Sequence, residues 1–339
     1  MTDFYRLPLD KRAERLRALA REALLRWGVG DCEPQIVKYR ENAVFRVVAA
    51  DGRDAVLRVH RHGYHSDAGL RSELAWIDAL DAEGVDVPAV IPSASGKRFE
   101  TVQGRGVPEP RQVDMLTWMP GIPIGTLEDG LNPAIHDVHA VFVGVGQLCA
   151  RLHNQTEAWA LPAGFTRHAW DREGLIGPDP LWGRFWEAAV LGAEERRLIE
   201  RARARAGEAL TAYGRSPRRY GLIHADFNLD NMLLDGDRVI PLDFDDCGFG
   251  WHLFDLATVW TIYHGSDVAE AIRAGVVEGY RGARDLPDEE LAHMPLFELV
   301  RAFSYLGWVH TRSETASAQS LASEVAELAC TLAEAYLRS

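Results

Sequence analysis

From Tyr220 the chain reads Tyr-Gly-Leu-Ile-His-Ala-Asp-Phe-Asn-Leu-Asp-Asn-Met-Leu-Leu, and after a short turn it resumes at Val239 as Val-Ile-Pro-Leu-Asp-Phe-Asp-Asp-Cys-Gly. No other stretch limits the fold as strongly. Its apolar runs are too short for helices and alternate with clusters of carboxylate and amide. Leu222 and Ile223 lead into a polar turn over 224–231, and Met232, Leu233 and Leu234 return as a strand. Asp235-Gly236-Asp237 supplies turn formers, and residues 239–242 read as the partner strand of a hairpin that Asp243 ends. Asp226, Asn231 and Asp243 therefore converge at one end of a small hairpin.

Two acids and an amide so placed suit one chemistry. Phosphoryl transfer needs hard oxygen ligands for Mg²⁺ and a carboxylate near the attacking hydroxyl. In that assignment Asp243 and Asn231 hold the metal, and Asp226 orients or deprotonates the acceptor. His224-x-Asp226-x4-Asn231, followed by Leu242-Asp243-Phe244-Asp245-Asp246, resembles the aminoglycoside phosphotransferase and choline kinase superfamily. The resemblance covers almost the whole chain. It implies an α+β, bilobal protein kinase-like fold, with a small β-rich N-lobe (1–117) and a larger, mainly helical C-lobe (118–339), and ATP and Mg²⁺ held between them. Members of that superfamily phosphorylate aminoglycosides, macrolides, choline, homoserine, fructosamines and, in a bacterial stress-response kinase, protein serine or threonine. The motif does not choose among these acceptors.

Composition narrows the classes further. The 339 residues are 47% hydrophobic and 26% charged, enough for one large or two medium globular domains. No run is long and apolar enough to span a membrane. The first 26 residues are dense in Arg and Glu and carry no apolar signal core, which points to a cytoplasmic location. The net charge of −13 argues against nucleic acid as a partner. Cys32, Cys149, Cys247 and Cys330 lie far apart, with neither metal-ligand nor disulfide-framework spacing. Cys149 and Cys247 are read as packing residues.

Upstream, residues 9–27 carry apolar side chains at helical spacing and stop at Gly28. The period then changes: 35–40, 44–49 and 55–60 read as strands, with Asp51-Gly52 as a hairpin turn. The first turn, Glu41-Asn42-Ala43-Val44-Phe45, lacks the glycines of protein kinases and resembles the short polar loop common in the superfamily, which makes Asn42 a nucleotide-side residue. The third strand carries Arg58 where protein kinases carry lysine. Arginine still donates to phosphate but is not interchangeable with lysine. The resemblance makes Arg58 the phosphate clamp, paired to Glu73 on a helix over 67–82.

Strands are expected at 98–103 and 113–119, the second ending in Met119-Pro120-Gly121. By resemblance Thr117, Trp118 and Met119 form the hinge whose backbone receives adenine. Beyond it, 138–152 reads as a buried helix with His153 as a structural residue at its end, 158–180 as aromatic loop, and 181–213 as a charged helix with Arg201, Arg203 and Arg205 on a solvated face. Residues 247–250 read as a flexible loop, and 254–263, 267–280 and 288–337 as further helices. Asp255 resembles the acid that braces the catalytic loop in relatives, and Asp245 either assists through metal-bound water or holds the loop.

The expected activity is transfer of the ATP γ-phosphate, with Mg²⁺, to a hydroxyl of a small molecule that is aminoglycoside-, amino alcohol- or homoserine-like. The alternatives are a serine/threonine protein kinase of the bacterial stress-response type and a non-catalytic nucleotide-binding module. A two-carboxylate hydrolase using Asp226 and Asp243 leaves Asn231 without a task. The sequence does not fix an oligomeric state.

Overall fold

The apolar stripe of the first helix decides where the N-terminal core forms. In the computed structural model, which describes residues 4–127 and 129–339, helix α1 (Leu9–Leu24) buries Leu16, Leu19, Ala20, Ala23 and Leu24, and a 3₁₀ turn over Leu25–Trp27 closes it at Gly28, φ 72°. Strands β1 (Gln35–Tyr39), β2 (Ala43–Val48), β3 (Asp54–Val59), β4 (Phe99–Val102) and β5 (Arg111–Thr117) form one sheet in the order β1-β2-β3-β5-β4, antiparallel throughout. Phe45, Leu57, Val113 and Met115 alternate inward and join the α1 side chains in one core, as period-2 patterning requires. Helix α2 (Asp67–Ala82) starts where the Ser66 hydroxyl accepts the Gly69 N–H, an N-cap. It buries Leu70, Leu74, Trp76, Ile77 and Leu80, and with them Glu73.

These elements belong to a first compact unit, which runs to Pro120 and also includes Leu161–Thr166. The second unit comprises Gly121–Ala160 and Arg167–Ser339. It holds short strands β6 (Ile122–Pro123), β7 (Gly125–Thr126) and β8 (Gly130–Leu131), helix α3 (Val138–Ala158), strand β9 (Ala169–Trp170), and helices α4 (Arg172–Ile176) and α5 (Ala193–Tyr213). Then come β10 (Tyr220–Ile223), β11 (Met232–Asp235), β12 (Arg238–Pro241) and β13 (Gly248–Trp251). Helices α6 (His252–Trp260), α7 (Ala269–Ala283), α8 (Asp288–Leu291), α9 (Met294–Thr311) and α10 (Ala316–Arg338) complete it. Helices α3 and α7 pack at backbone contact: a Cβ on Gly279 would lie 1.9 Å from the Val143 carbonyl oxygen.

Three expectations need correction. The charged helix begins at Ala193, not at 181. Before it, Pro180 and Gly183, the latter at φ 104°, break the chain, and Trp182 and Phe185 are drawn into the core. Residues 247–250 are not a flexible loop. Gly248–Trp251 is the central strand of the sheet β10-β13-β9, and its glycines answer to packing: a Cβ on Gly250 would lie 2.4 Å from Ile223 Cδ1. Arg203 does not face solvent. It donates from Nε to the Ile176 carbonyl at 2.7 Å and from Nη2 to the Gly177 carbonyl at 2.6 Å, capping α4, and lies 3.7 Å over the Trp186 ring.

Candidate active site

The expected hairpin forms from β11 and β12, with Met232 opposite Pro241 and Leu234 opposite Val239. Asn231 therefore sits one residue before one strand and Asp243 two residues past the other, at the same end. The Leu242 N–H donates to the Asn231 carbonyl at 2.8 Å and closes that end. Two backbone positions are strained here. Ala225 (φ 66°) and Asp243 (φ 56°) are the non-glycine residues with positive φ among the described residues. Such conformations cost about 1–3 kcal/mol each and persist only where the surroundings enforce them.

At Ala225 the enforcing contacts are visible. Asp255, fully buried on α6, accepts the His224 N–H at 3.0 Å and the Ala225 N–H at 2.6 Å. Arg301 on α9 donates from Nη1 to the Ala225 carbonyl at 2.9 Å. His224 links this loop to the next: its Nε2 donates to the Leu242 carbonyl at 2.9 Å, while Nδ1 accepts the Asp226 N–H at 3.3 Å. One nitrogen donating and one accepting is the neutral imidazole. Burial, against the charges of Asp255 and Asp226, keeps its pKa below the ordinary value.

The loop delivers Asp226 half-buried, with a side-chain exposure of 16%. Its Oδ1 accepts from Arg301 Nη2 at 2.8 Å and its Oδ2 from Asn231 Nδ2 at 2.8 Å. Asn231 Nδ2 also reaches the Asp226 carbonyl at 3.0 Å. The amide nitrogen is thus spent inside the loop, and Oδ1 is the atom of Asn231 left to act as a ligand. Asp243 is exposed. A neutral amide oxygen and an accessible carboxylate on adjoining loops form a donor set suited to a hard divalent cation that retains water ligands.

In the first unit Arg58 is buried and makes the expected ion pair, Nη2 to Glu73 Oε1 at 2.9 Å. Sequence reasoning missed its second partner. Asp114, opposite Arg58 in the β3–β5 ladder, accepts from Nε at 2.8 Å and Nη2 at 2.7 Å, and also pairs with His60 Nε2 at 2.8 Å. Burial alone would raise the Asp114 pKa, but Arg58 and His60 outweigh it and hold it at about 2. The signal was a lone acid in the apolar run Val113-Asp114-Met115-Leu116. Asn42 is buried, and its Oδ1 accepts the Arg61 N–H at 2.9 Å, so it fastens the β1–β2 turn to the end of β3. Along the hinge, Thr117 N donates to the Ala89 carbonyl at 2.9 Å and Trp118 N to the Asp54 carbonyl at 3.3 Å. Trp118 is exposed beneath the Arg46 guanidinium, and Met119 is half-buried.

His153 proves to be more than a helix-end residue. It lies within α3, fully buried, with Nε2 3.1 Å from Asp255 Oδ2 and Nδ1 2.9 Å from the Tyr280 hydroxyl. It stacks on His252 at 4.3 Å, and burial drives the pKa of both imidazoles well down. Burial pushes Asp255 up to about 6, against the neighbouring His224 ring and the His224 and Ala225 N–H donors. Arg301 was also missed. Its signal was a single cation in the apolar helix Leu299-Val300-Arg301-Ala302-Phe303. Cys149 and Cys247 are both buried, which fits the packing role expected of them.

Five antiparallel strands with two long helices in the first unit, and a braced polar loop carrying Asp226 and Asn231 among helices in the second, define a kinase-like phosphotransferase with an α+β fold. The chain belongs to the phosphotransferase enzyme family, whose sequence model matches residues 35–292. It is similar to the amicoumacin kinase of Bacillus subtilis, 25% identical over 306 residues that cover 85% of this chain and 83% of that one. Among solved structures it resembles a microcompartment-associated aminopropanol kinase (TM-score 0.81, 35% identity, covering 94% of this chain and 97% of that one). It also resembles an amicoumacin kinase in complex with AMP-PNP, Ca²⁺ and Ami (TM-score 0.72, 20% identity, covering 88% of each chain). The chain is accordingly a kinase-type enzyme with a hydroxyl acceptor. No helix of the described residues is long and apolar enough to cross a membrane.

Proposed function

We propose that the protein transfers the γ-phosphoryl group of ATP, with Mg²⁺, to the hydroxyl of a small amino alcohol. The observation that carries this reading is the Asp226–Asn231 contact, which holds the Asp226 carboxylate in the same loop that leaves Asn231 Oδ1 to act as a ligand, at the end of the hairpin where Asp243 follows. Asn231 Oδ1 and Asp243 would hold the metal, which when bound neutralises charge on the phosphates. Asp226 would accept a hydrogen bond from the acceptor hydroxyl and take its proton as the oxygen attacks. Arg58, oriented by Glu73 and Asp114, would serve the phosphates, with Asn42 supporting the adjoining turn. The backbone of residues 117–119 would receive the base, with Met119 N–H as donor, because the Thr117 and Trp118 N–H groups are already engaged.

A cavity of about 600 Å³ in the second unit supports this acceptor class. Leu127, Ile262, Leu321 and Leu328 line it together with Glu324 and Glu327. Apolar walls with two carboxylates, and no lysine or arginine among the described residues of the lining, suit a small cation. Tyr263, also in the lining, has a buried hydroxyl with no hydrogen-bond partner among the described residues. Asp230 Oδ2 accepts the Leu127 N–H at 3.1 Å and so ties this wall to the catalytic loop. The similarity to an aminopropanol kinase supports the same class.

The test is ADP release from ATP across aminopropanol, ethanolamine, choline, homoserine and aminoglycosides, with phosphorylated product read by mass spectrometry. Turnover is expected with amino alcohols in Mg²⁺ and none after chelation. Transfer confined to uncharged alcohols would remove the cationic acceptor. Turnover unaffected by chelation would remove the metal.

A further inference from the structure

We propose that Arg301 is a positioning residue for phosphoryl transfer, holding Asp226 in register for the acceptor hydroxyl; the inference rests on the reading of Asp226 as the base. Arg301 is fully buried in the middle of α9. Its guanidinium lies 4.2 Å from the Tyr305 ring, 4.8 Å from Trp182 and 5.5 Å from Phe254. Burying this charge is expensive unless its donors are used. Nε has no hydrogen-bond partner among the described residues, so the compensation is concentrated at the two terminal nitrogens.

Both reach the same loop, at consecutive residues. Nη1 holds the carbonyl of strained Ala225 at 2.9 Å, and Nη2 holds Asp226 Oδ1 at 2.8 Å. The aromatic rings fix the guanidinium plane, and the fork fixes the loop to that plane. Arg203 shows how an arginine with a purely structural task is used in the same unit: its donors go to backbone carbonyls at a helix end. Arg301 instead gives one donor to the carboxylate proposed to meet the substrate, leaving Oδ2 to Asn231. A lysine would supply the charge without the planar pair of donors.

The test measures kcat, KM for ATP and thermal unfolding for Arg301→Lys, Arg301→Gln, Asp226→Asn and the double variant Arg301→Lys/Asp226→Asn. The acceptor is aminopropanol, or the alcohol of the panel above with the highest turnover. Arg301→Lys is expected to stay folded, to keep its KM for ATP within about 3-fold and to lose about 10-fold in kcat. Arg301→Gln should lose about 10²-fold, the scale of a misplaced reacting group. The double variant should be no slower than Asp226→Asn, because groups acting as one unit do not add. Should Arg301→Gln not fold, Arg301→Lys, which keeps the buried charge, carries the test with the double variant. Wild-type kcat in folded Arg301→Lys, or penalties that multiply in the double variant, would overturn the proposal. Wild-type kcat in Asp226→Asn would instead overturn the reading of Asp226 itself.

Discussion

Arg58 meets Asp114 fork to fork across the β3–β5 ladder, at 2.8 and 2.7 Å, while its Nη2 also holds Glu73 at 2.9 Å. The arginine expected to clamp phosphate is thus gripped from two sides. Two carboxylates oppose one guanidinium, with His60 as a further neighbour of Asp114. Asp114→Asn removes the charge that compensates buried Arg58 and should cost about 3 kcal/mol. The folded pKa of Asp114 is depressed, so its contribution is complete above its ordinary 3.8 and is lost as pH falls through about 2. Chemical denaturation of wild type and variant should therefore show a gap that is constant near neutrality and closes in strong acid. A gap absent at neutral pH would make the contact energetically idle.

Arg58 itself separates clamp from scaffold. Arg58→Ala should weaken ATP binding by about 10-fold or more, the scale of one lost charge-assisted contact. It should also destabilise the first unit, since Glu73 and Asp114 would both lose their cation. Arg58→Lys should recover part of the affinity, because one compact charge cannot serve both acids and phosphate as the planar fork does. Titration calorimetry checks the affinities. Unchanged ATP affinity in a folded Arg58→Ala protein would leave Arg58 a structural ion-pair centre only.

Asp243 tests the metal assignment. It is exposed, at φ 56°, a conformation L-residues adopt at a cost. Wild-type ATP affinity should rise with Mg²⁺, and Asp243→Ala should abolish most of that rise while leaving metal-free binding unchanged. Asp243→Gly, which relieves the strain, should raise the unfolding temperature and still lose the Mg²⁺ effect. Equal affinities with and without Mg²⁺ in the wild type would remove both Asp243 and Asn231 from the metal site.

Much of this arrangement was legible because it is local. The His224–Asp243 stretch carries its own strand pattern and turn chemistry, so its hairpin followed from sequence. Helix α2 matched its expected span because Ser66 caps it and its apolar stripe is unbroken. Asp114 and Arg301 were missed for the opposite reason. Each acts on a group 56 or 75 residues away, and a lone charge in an apolar run does not name its partner. The glycines at 248 and 250 misled because the same residue serves mobility and close packing. Only the neighbouring Ile223 and His168 show which applies.

The braced loop should be sensitive to acid. His153, His224 and His252 all have depressed pKa values, chiefly from burial. Their stability contributions are complete above the ordinary 6.5 and are lost as pH falls below it. Asp255 works in the other direction. Raised to about 6, it binds its proton more tightly when folded and so favours folding as pH falls from there toward 3.8. Three groups oppose one, and protonated His224 would also lose Nδ1 as acceptor for the Asp226 N–H. Unfolding free energy should be lower at about pH 5.5 than at about pH 7.5. Equal or greater stability at the lower pH would show that Asp255 prevails.

Asp226 carries the last prediction, because there chemistry and binding separate. Its carboxylate accepts from Arg301 through one oxygen and from Asn231 through the other. An asparagine at 226 keeps the size but has one acceptor. If that oxygen stays with Arg301, its amide nitrogen faces the Asn231 amide nitrogen, two donors opposed, and Asn231 must turn. Asp226→Asn should therefore cost about 1–3 kcal/mol of stability, from the lost charge beside buried Arg301 and the broken contact to Asn231. ATP affinity in Mg²⁺ should fall by no more than about 10-fold, since Arg58 and Asp243 remain. Turnover should fall by about 10²–10⁴-fold, the range expected for loss of a general base. Paired titration and product measurements decide the matter. Turnover that falls only in step with ATP affinity would assign Asp226 to nucleotide or metal binding. Full turnover in the folded variant would leave the acceptor proton without a base in this loop.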